Sequence, residues 1–226
     1  MSEPENPHER GKKIREQHFD RGDYLGWFDE VYASAMSERD IPWAKLAPNR
    51  LLMTWPKWRE VKGRERSSLV VGCGLGDDAE ELAKAGFRVT AFDISETAIA
   101  WARRRFPNSD VDYRVADLYE LPAEWQGAFD FVLESTTLQS LPAHMRPVAI
   151  DCIAGCLSPG GTLMVICFGE RPEDDAAVGP PWGLTRAELG RFVEKGLEEV
   201  RFEEINYTAS KRRPGPRYRI EYRRRK

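Results

Sequence analysis

From Ser67 onward, apolar residues fall in short strand-length runs separated by amphipathic stretches of helical length. The runs read SLVVG, FRVTAFD, VDYRV, FDFVLE, GTLMVICF, EEVRFEEINYTA and RYRIEYR, all rich in β-branched and aromatic residues. Between them, residues 78–85, 95–106, 142–156 and 185–195 carry helical apolar spacing. Ser95 with Glu96, and Thr185 with Glu188, make suitable helix starts. This alternation predicts an α/β fold: a seven-stranded, mostly parallel sheet with helices on both faces. No helix separates the last two runs, only the turn-rich 210–216, so they are expected to pair as an antiparallel hairpin at one end of the sheet.

The region before Ser67 reads differently. Residues 1–22 are polar, broken by Pro and Gly, and have the composition of a frayed terminus. From Tyr24 to Arg59 the aromatics Trp27, Phe28, Tyr32, Trp43, Trp55 and Trp58 recur on two expected helices, separated by Asp40-Ile41-Pro42. The chain is therefore expected to form one structural domain, with a flexible N-terminus and helical cap over 1–60 and a core over 61–226. A length of 226 residues suits one α/β core better than two.

Composition narrows the class. No apolar run approaches membrane-spanning length, and MSEPENPHER lacks the apolar stretch of a signal peptide, so a soluble, cytoplasmic monomer is expected. Cys73, Cys152, Cys156 and Cys167 show no Cys-x-x-Cys pairing and do not cluster with His8, His18 or His144; no metal site is expected. A net charge of −3 creates no global field for nucleic acid, although the last sixteen residues hold nine Lys or Arg against one Glu. Tyr218, Ile220 and Tyr222 alternate there with Arg217, Arg219 and Arg223, which suggests an edge strand blunted by basic side chains.

The sharpest chemical signal is Leu69-Val70-Val71-Gly72-Cys73-Gly74-Leu75-Gly76-Asp77-Asp78, a strand that runs through spaced glycines into a helix. Bare backbone lets a ligand lie close, and a helix start offers free N–H groups. Acids stand at 77 and 78 where a dinucleotide fingerprint would have its third glycine, so a pyrophosphate would be repelled. Asp93, at the end of the next strand, is placed to accept both hydroxyls of a ribose. Asp117 and Leu118 end the third strand beside the same crevice, suited to an adenine amino group and ring face, and Ile94 can cover the other face. Together these residues describe an adenosine site without phosphates. Taken singly, Asp117 reads equally as a helix cap, and the tryptophans as core.

These stretches resemble the class I S-adenosylmethionine-dependent methyltransferases, with their Rossmann-like sheet, and within them the thiopurine, thiol and halide methyltransferase group. The carrying segments are LVVGCGLGDDA, VTAFDISETAI, VADLYEL, FDFVLESTTLQSLPAHMRP, LSPGGTLMVICF and Gly179-Pro180-Pro181-Trp182. The resemblance implies S-adenosyl-L-methionine as cofactor and a small-molecule methyl acceptor. It implies that Gly72, Cys73, Gly74 and Gly76 cradle the methionine part, Asp93 holds the ribose, and Asp117 with Leu118 and Ile94 hold the adenine. Glu134 and Ser135 then lie under the sulfonium, and Phe28, Tyr32 and Trp43 of the cap close over the cofactor. The acid that many class I enzymes carry two residues before the first glycine is replaced by Val70.

Methyl transfer from a sulfonium needs chiefly alignment and desolvation of the acceptor, and a thiol, with an ordinary pKa of about 8.5, requires little activation. No catalytic base is therefore assigned. Gln139, Arg171, Trp182 and Glu134 are candidate acceptor contacts. A thiol or other soft nucleophile is the expected acceptor; oxygen or nitrogen of a small metabolite is the alternative. The basic tail raises a nucleic-acid substrate, but Glu134-Ser135-Thr136-Thr137 occupies the place where base-nitrogen enzymes carry Asn/Asp-Pro-Pro-aromatic, so that reading is disfavoured. A non-catalytic adenosine-binding protein on the same fold is a further alternative.

Overall fold

The computed structural model describes residues 6–55, 65–171, 179–207 and 215–226. Trp58 and most of the expected 210–216 turn lie outside them. Among the described residues the strands are β1 (Ser67–Val71), β2 (Arg88–Asp93), β3 (Asp112–Val115), β4 (Phe129–Ser135), β5 (Leu157–Phe168), β6 (Leu197–Tyr207) and β7 (Gly215–Arg224). They form one sheet in the order β3-β2-β1-β4-β5-β7-β6. The first five strands are mutually parallel, and β7 runs antiparallel to both β5 and β6. The helices are α1 (Pro7–Asp20), α2 (Trp27–Ala33), α3 (Arg50–Met53), α4 (Asp77–Lys84), α5 (Glu96–Arg105), α6 (Arg146–Gly155) and α7 (Arg186–Glu194). The expected sheet and its helices thus stand, with ends displaced by a few residues.

Alternation along β1 shows why both faces need cover. Leu69 and Val71 pack on one side with Val132, Val165, Ile150, Ile153, Leu189 and Phe192, which brings α6 and α7 to that face. Val70 points the other way, to Phe131, Leu133, Met164, Leu82 and Ile99, under α4 and α5. Strands buried on both faces read as continuous apolar runs, which is why SLVVG and GTLMVICF were visible as strands. Side chains of the Thr185 and Ser95 caps accept from Glu188 N and Ala98 N, so the two expected helix starts form.

Two expectations change. The first concerns 1–22, which contain a 14-residue helix rather than a frayed coil. The buried His18 of α1 has Nδ1 2.7 Å from Asp23 Oδ2 and Nε2 2.7 Å from Glu30 Oε2, tying α1 to α2, and Arg10 donates to Asp40 O at 2.9 Å. Long polar side chains concealed this, because the helix is held by specific polar pairs more than by an apolar stripe. The rest of the cap is less helical than expected: a 3-10 turn at Glu38–Asp40 and the four-residue α3 replace the second helix.

The second concerns β7, which is interior while β6 takes the edge. Tyr222, Ile220 and Tyr218 face the α6–α7 side, and Arg219 and Glu221 are buried on the other. Arg219 donates to Glu203 Oε2 (2.7 Å), Leu51 O (2.7 Å) and Thr54 Oγ1 (3.2 Å), so one guanidinium joins β7, β6 and α3. Arg224 donates to Ala154 O, and Arg217 lies over the Phe168 ring. Arg217, Arg219 and Arg224 of the basic tail thus serve as internal wiring, which a one-dimensional alternation of Arg and Tyr does not distinguish from a charged edge.

Removing the Arg219 head leaves the Leu51 carbonyl without its donor and the half-buried Glu203 with Arg201 alone, a loss of about 1–3 kcal/mol. Arg219→Ala should therefore shift the urea midpoint strongly downward, measured by circular dichroism, whereas Arg223→Ala at the exposed end of the same strand should leave it nearly unchanged.

Candidate functional site

The carboxyl ends of β1, β2, β3 and β4 meet at the loop 72–76, where open parallel sheets bind ligands. Cys73 N–H donates to Phe92 O at 2.8 Å, which folds the loop back over β2. Gly76 has φ 88° as the residue before α4, and a Cβ there would stand 2.3 Å from the hydroxyl of Tyr113, itself fixed by Glu80 at 2.7 Å. Gly74 has φ 51°, and its missing Cβ leaves room beneath the Tyr32 hydroxyl. Left-handed backbone and close approach both exclude other residues at these two positions.

Asp93 is the anchor of this corner. Its Oδ2 accepts Gly74 N–H at 2.9 Å and its Oδ1 accepts Ser95 N–H at 3.0 Å. Burial pushes its carboxyl above the ordinary range, against the pull of the backbone bonds from Ser95, Gly74 and Ile94. Each carboxylate oxygen keeps lone-pair capacity for a further donor. The backbone of Ala116 donates to Asp93 O at 3.1 Å, which sets Asp117 beside it. Asp117 Oδ1 accepts Tyr119 N–H at 2.8 Å in a local turn, and Leu118 is buried in the core with Phe92; Ile94 is half-buried.

Over the loop lie the cap aromatics. Trp43 Nε1 donates to the Tyr32 hydroxyl at 2.8 Å, and the Trp43 ring meets Trp27, Phe28 and Tyr32 edge-on. Tyr32 is fully enclosed, and burial first, then Asp93, raises its phenol well above the usual value. Trp43 remains 40% exposed, which separates it from the core tryptophans Trp27 and Trp55. Burial and Asp93 likewise push the Cys73 thiol well up, so it stays protonated and is no nucleophile.

The two acids after the loop have different fates. Asp77 is paired bidentately with Arg105 at 2.8 and 2.9 Å. Asp78 forms no ion pair among the described residues; it accepts Asn49 N–H at 2.6 Å and bonds Ser135, and burial raises its carboxyl. Asn49 Nδ2 donates to Ser135 Oγ at 3.0 Å, completing a ring between the start of α3, the loop and the end of β4. Repulsion of a pyrophosphate therefore rests on Asp78 alone, Asp77 being neutralised.

Glu134 lies fully buried at the end of β4. Its Oε1 accepts Thr137 N–H (2.7 Å) and Leu138 N–H (3.0 Å), while Oε2 has no partner. Burial outweighs these bonds and pushes its carboxyl up to about 7. Of the expected acceptor contacts, Gln139 is a staple: its side-chain oxygen accepts Phe168 N–H and its carbonyl accepts Trp182 N–H, both at 2.8 Å. Trp182 stands between Arg146, 6.0 Å over its ring, and Phe19 of α1, 6.4 Å away and nearly parallel. Arg171 lies with its side-chain carbons against Gly215 at the start of β7, apart from the loop.

Sequence reasoning passed over Asn49, Asp78 as distinct from Asp77, Thr137, and the pair Asp29–Ser95. Asn49 had a local signal, a capping residue before Arg50-Leu51-Leu52. The others act through partners more than fifty residues away, as in Thr137 Oγ1 to Val71 O and Ser95 Oγ to Asp29.

A family described as a methyltransferase domain matches residues 69–165, the stretch from β1 to β5. Residues 69–165 thus carry a methyltransferase domain, similar to those of the S-adenosylmethionine-dependent class. A probable thiol methyltransferase 2 of Arabidopsis thaliana is 30% identical over 156 residues, 68% of this chain and 66% of that protein. A ubiquinone biosynthesis O-methyltransferase of Xanthomonas campestris is 38% identical over 107 residues, 46% of this chain and 44% of its own length. The chain thus spans somewhat less than two thirds of the first relative's length and under half of the second's. A structure titled for the conversion of a disulfide bond into a thioacetal group during echinomycin biosynthesis superposes with a TM-score of 0.70 at 23% identity, over 88% of this chain and 90% of that chain. No described helix is long and apolar enough to cross a membrane.

A carboxyl whose value in the folded protein lies above its unfolded one favours folding in its protonated form. For Glu134 that contribution is complete below its ordinary value of 4.5 and is lost as pH rises through about 7. The loss for a shift of this size is on the order of 3 kcal/mol. Glu134→Gln keeps an oxygen for the Thr137 and Leu138 N–H groups and cannot ionise. Thermal melts taken from pH 5 to pH 8 should show a decline in the wild type that is flattened in the variant; parallel profiles would contradict the assignment.

Proposed function

We propose that this protein transfers a methyl group from S-adenosylmethionine to a small-molecule acceptor, a thiol or another soft nucleophile. The observation that carries the cofactor half is the pairing of bare loop backbone with a buried carboxylate, joined by the Gly74 N–H to Asp93 bond. A phosphate-free nucleoside suits that pairing, since Asp78 adds an acid that forms no salt bridge among the described residues, Lys45 exerting only the weakest of the pulls on it. The fit is tight at the loop: a Cβ on Gly74 would come within 3.0 Å of the Tyr32 hydroxyl and fill the space between loop and cap.

In this reading Gly72, Cys73, Gly74 and Gly76 bind the methionine part, with Asp78 on the side where Val70 offers no acid. Asp93 accepts the ribose hydroxyls, and Asp117, Leu118 and Ile94 enclose the adenine. Phe28, Tyr32 and Trp43 exclude water from above, and Glu134 and Ser135 lie at the strand end beneath the sulfonium. S-adenosylmethionine supplies an electrophilic methyl group on a sulfonium that already carries the driving charge. The protein's task is to orient and desolvate the acceptor. A thiol suits such a site because it ionises near neutrality without a dedicated base. The Arabidopsis thiol methyltransferase relative supports sulfur. The Xanthomonas O-methyltransferase match, higher in identity over a shorter span, favours oxygen of a small metabolite as the second reading. Trp182, Arg146 and the α1 ring Phe19 form the side on which that choice is made.

Asp93→Ala removes bonds to both ribose hydroxyls, each worth roughly 1.5–3 kcal/mol as charge-assisted bonds. Calorimetry should show at least about a tenfold weaker affinity for S-adenosylhomocysteine. Because burial raises the Asp93 carboxyl, wild-type affinity should begin to fall, on acidification, at a pH above that of an ordinary aspartate. A mass-spectrometric screen of thiols, halides, selenium compounds and phenols should give methylated thiol; turnover of phenols alone would select the second reading.

Trp43→Leu probes the cap. A ring over a sulfonium contributes about 0.5–2 kcal/mol that S-adenosylhomocysteine, lacking the charge, does not feel. The substitution should weaken S-adenosylmethionine more than S-adenosylhomocysteine with little change in the melting temperature. Equal weakening of both ligands with a large drop in stability would make Trp43 a packing residue.

A further inference from the structure

Asp29 lies on α2 between Phe28 and Tyr32, two of the aromatic residues assigned to the cofactor. Its side chain does not point back along the cap. Oδ1 accepts the Ser95 hydroxyl at 2.7 Å and the Thr97 N–H at 3.0 Å, both at the start of α5. Ser95 in turn donates its N–H to Asp93 Oδ1 at 3.0 Å, and Asp93 Oδ2 holds Gly74 N–H at 2.9 Å. A continuous line of hydrogen bonds therefore runs from the cap, through the first turn of α5, into the carboxylate and the glycine loop. Burial pushes the Asp29 carboxyl up, but the Ser95 and Thr97 bonds outweigh it and hold it below its usual value.

The rest of the cap is tied to this contact. His18 clasps Asp23 and Glu30 on either side of Asp29, and Arg10 ties α1 to Asp40 O. Toward the core, Tyr32 and Ile41 pack on Leu75 and Ala98. That apolar contact has no direction, whereas the Asp29 bonds fix one rotation of α2 over α5. An acceptor held at a helix N-terminus is also favoured by the helix dipole, so the latch is directional and reversible without unfolding either helix.

We propose that Asp29 is a positioning residue of the cofactor site: it latches the aromatic cap to α5 and, through Ser95, sets the Asp93 carboxylate and the loop in one step. The proposal rests on the reading of the Asp93 crevice as the S-adenosylmethionine site. Cofactor binding and cap closure are then coupled, since both act on the same Ser95–Asp93 pair.

The test uses the full chain with S-adenosylhomocysteine as the probe, comparing Asp29→Ala, Asp29→Asn, Asp93→Ala and Asp29→Ala combined with Trp43→Leu. Asp29→Ala should weaken binding by about tenfold or more and shift the ligand-free melting temperature little, because the apolar packing remains. Asp29→Asn keeps an oxygen at Oδ1 and should recover most of that affinity, an outcome that loss of bulk packing would not produce. Trypsin should cut at Lys12, Lys13 and Arg15 of the ligand-free Asp29→Ala protein faster than in the wild type, and S-adenosylhomocysteine should protect the wild type more than the variant. With S-adenosylmethionine as the ligand for this one comparison, adding Trp43→Leu to Asp29→Ala should cost less than the two separate losses multiplied, since the latch holds the ring in place. Wild-type affinity in Asp29→Ala, or fully multiplicative losses, would overturn the latch. If Asp93→Ala binds S-adenosylhomocysteine unchanged, the crevice is misassigned and the proposal falls with it; normal loss at Asp93 with none at Asp29 rejects the latch alone.

Discussion

A carboxylate kept out of water must be compensated, and at Asp93 the compensation organises the corner of the sheet around it. The side chain is 8% exposed, and its oxygens are met by backbone N–H groups from Gly74 and Ser95. Those bonds require the loop to fold back over β2, which in turn requires left-handed backbone at Gly72, Gly74 and Gly76. Backbone donors cannot neutralise the charge, so the carboxyl remains raised and retains acceptor capacity. A site left slightly under-compensated in this way is stabilised by a ligand that brings hydroxyl donors, which is the chemistry proposed for it.

The same logic separates the neighbouring acids. Asp77 is fully paired by Arg105, which also donates to Leu75 O and so pins the loop from outside. Asp78 and Glu134 carry no such cation, and burial raises both. Asp78 at the start of α4 and Asp93 at the end of β2 thus present the crevice with acceptors that no salt bridge neutralises among the described residues. A ligand with an ammonium and a sulfonium suits those acceptors and a pyrophosphate does not.

Much of this was legible in the sequence because it is local. The strand-to-loop-to-helix passage at 69–78, Asp93 one strand later and the Thr185 cap all lie within a single supersecondary unit, where spacing alone carries the geometry. What escaped was set by long-range pairing. β7 reads as an edge strand because alternate Arg and Tyr look the same beside water and beside β6; only Glu203 and Leu51 opposite Arg219 make it interior. Residues 1–22 read as frayed because α1 is secured by His18 between two carboxylates, a pairing with no apolar periodicity. Gln139 read as an acceptor contact because a polar residue beyond β4 has that prior, yet its side-chain oxygen is taken by Phe168 N–H at the end of β5 while its backbone carbonyl holds Trp182 N–H.

The consequence of α1 reaches the acceptor side. Phe19 faces Trp182 across 6.4 Å, and Tyr24 meets His144 at 5.1 Å, so the N-terminal segment touches both the loop after β5 and the approach to α6. The cofactor contacts proposed here come from strand ends within the sheet, whereas these ring contacts come from α1, the turn after it and the segments before α6 and after β5. In the proposed reaction the acceptor brings its own nucleophile and the cofactor its own leaving group, so selectivity depends on which molecule those rings admit. A sulfur acceptor, with an ordinary pKa of about 8.5, loses its proton more readily than a hydroxyl, and the rings of Phe19, Tyr24 and Trp182 offer its apolar body a surface. An oxygen acceptor would also need its proton removed, and Glu134, its one free oxygen sealed beneath the Thr137 turn, is poorly placed to take it. In the proposed reaction the smaller demand for a base is the physical argument for sulfur over oxygen.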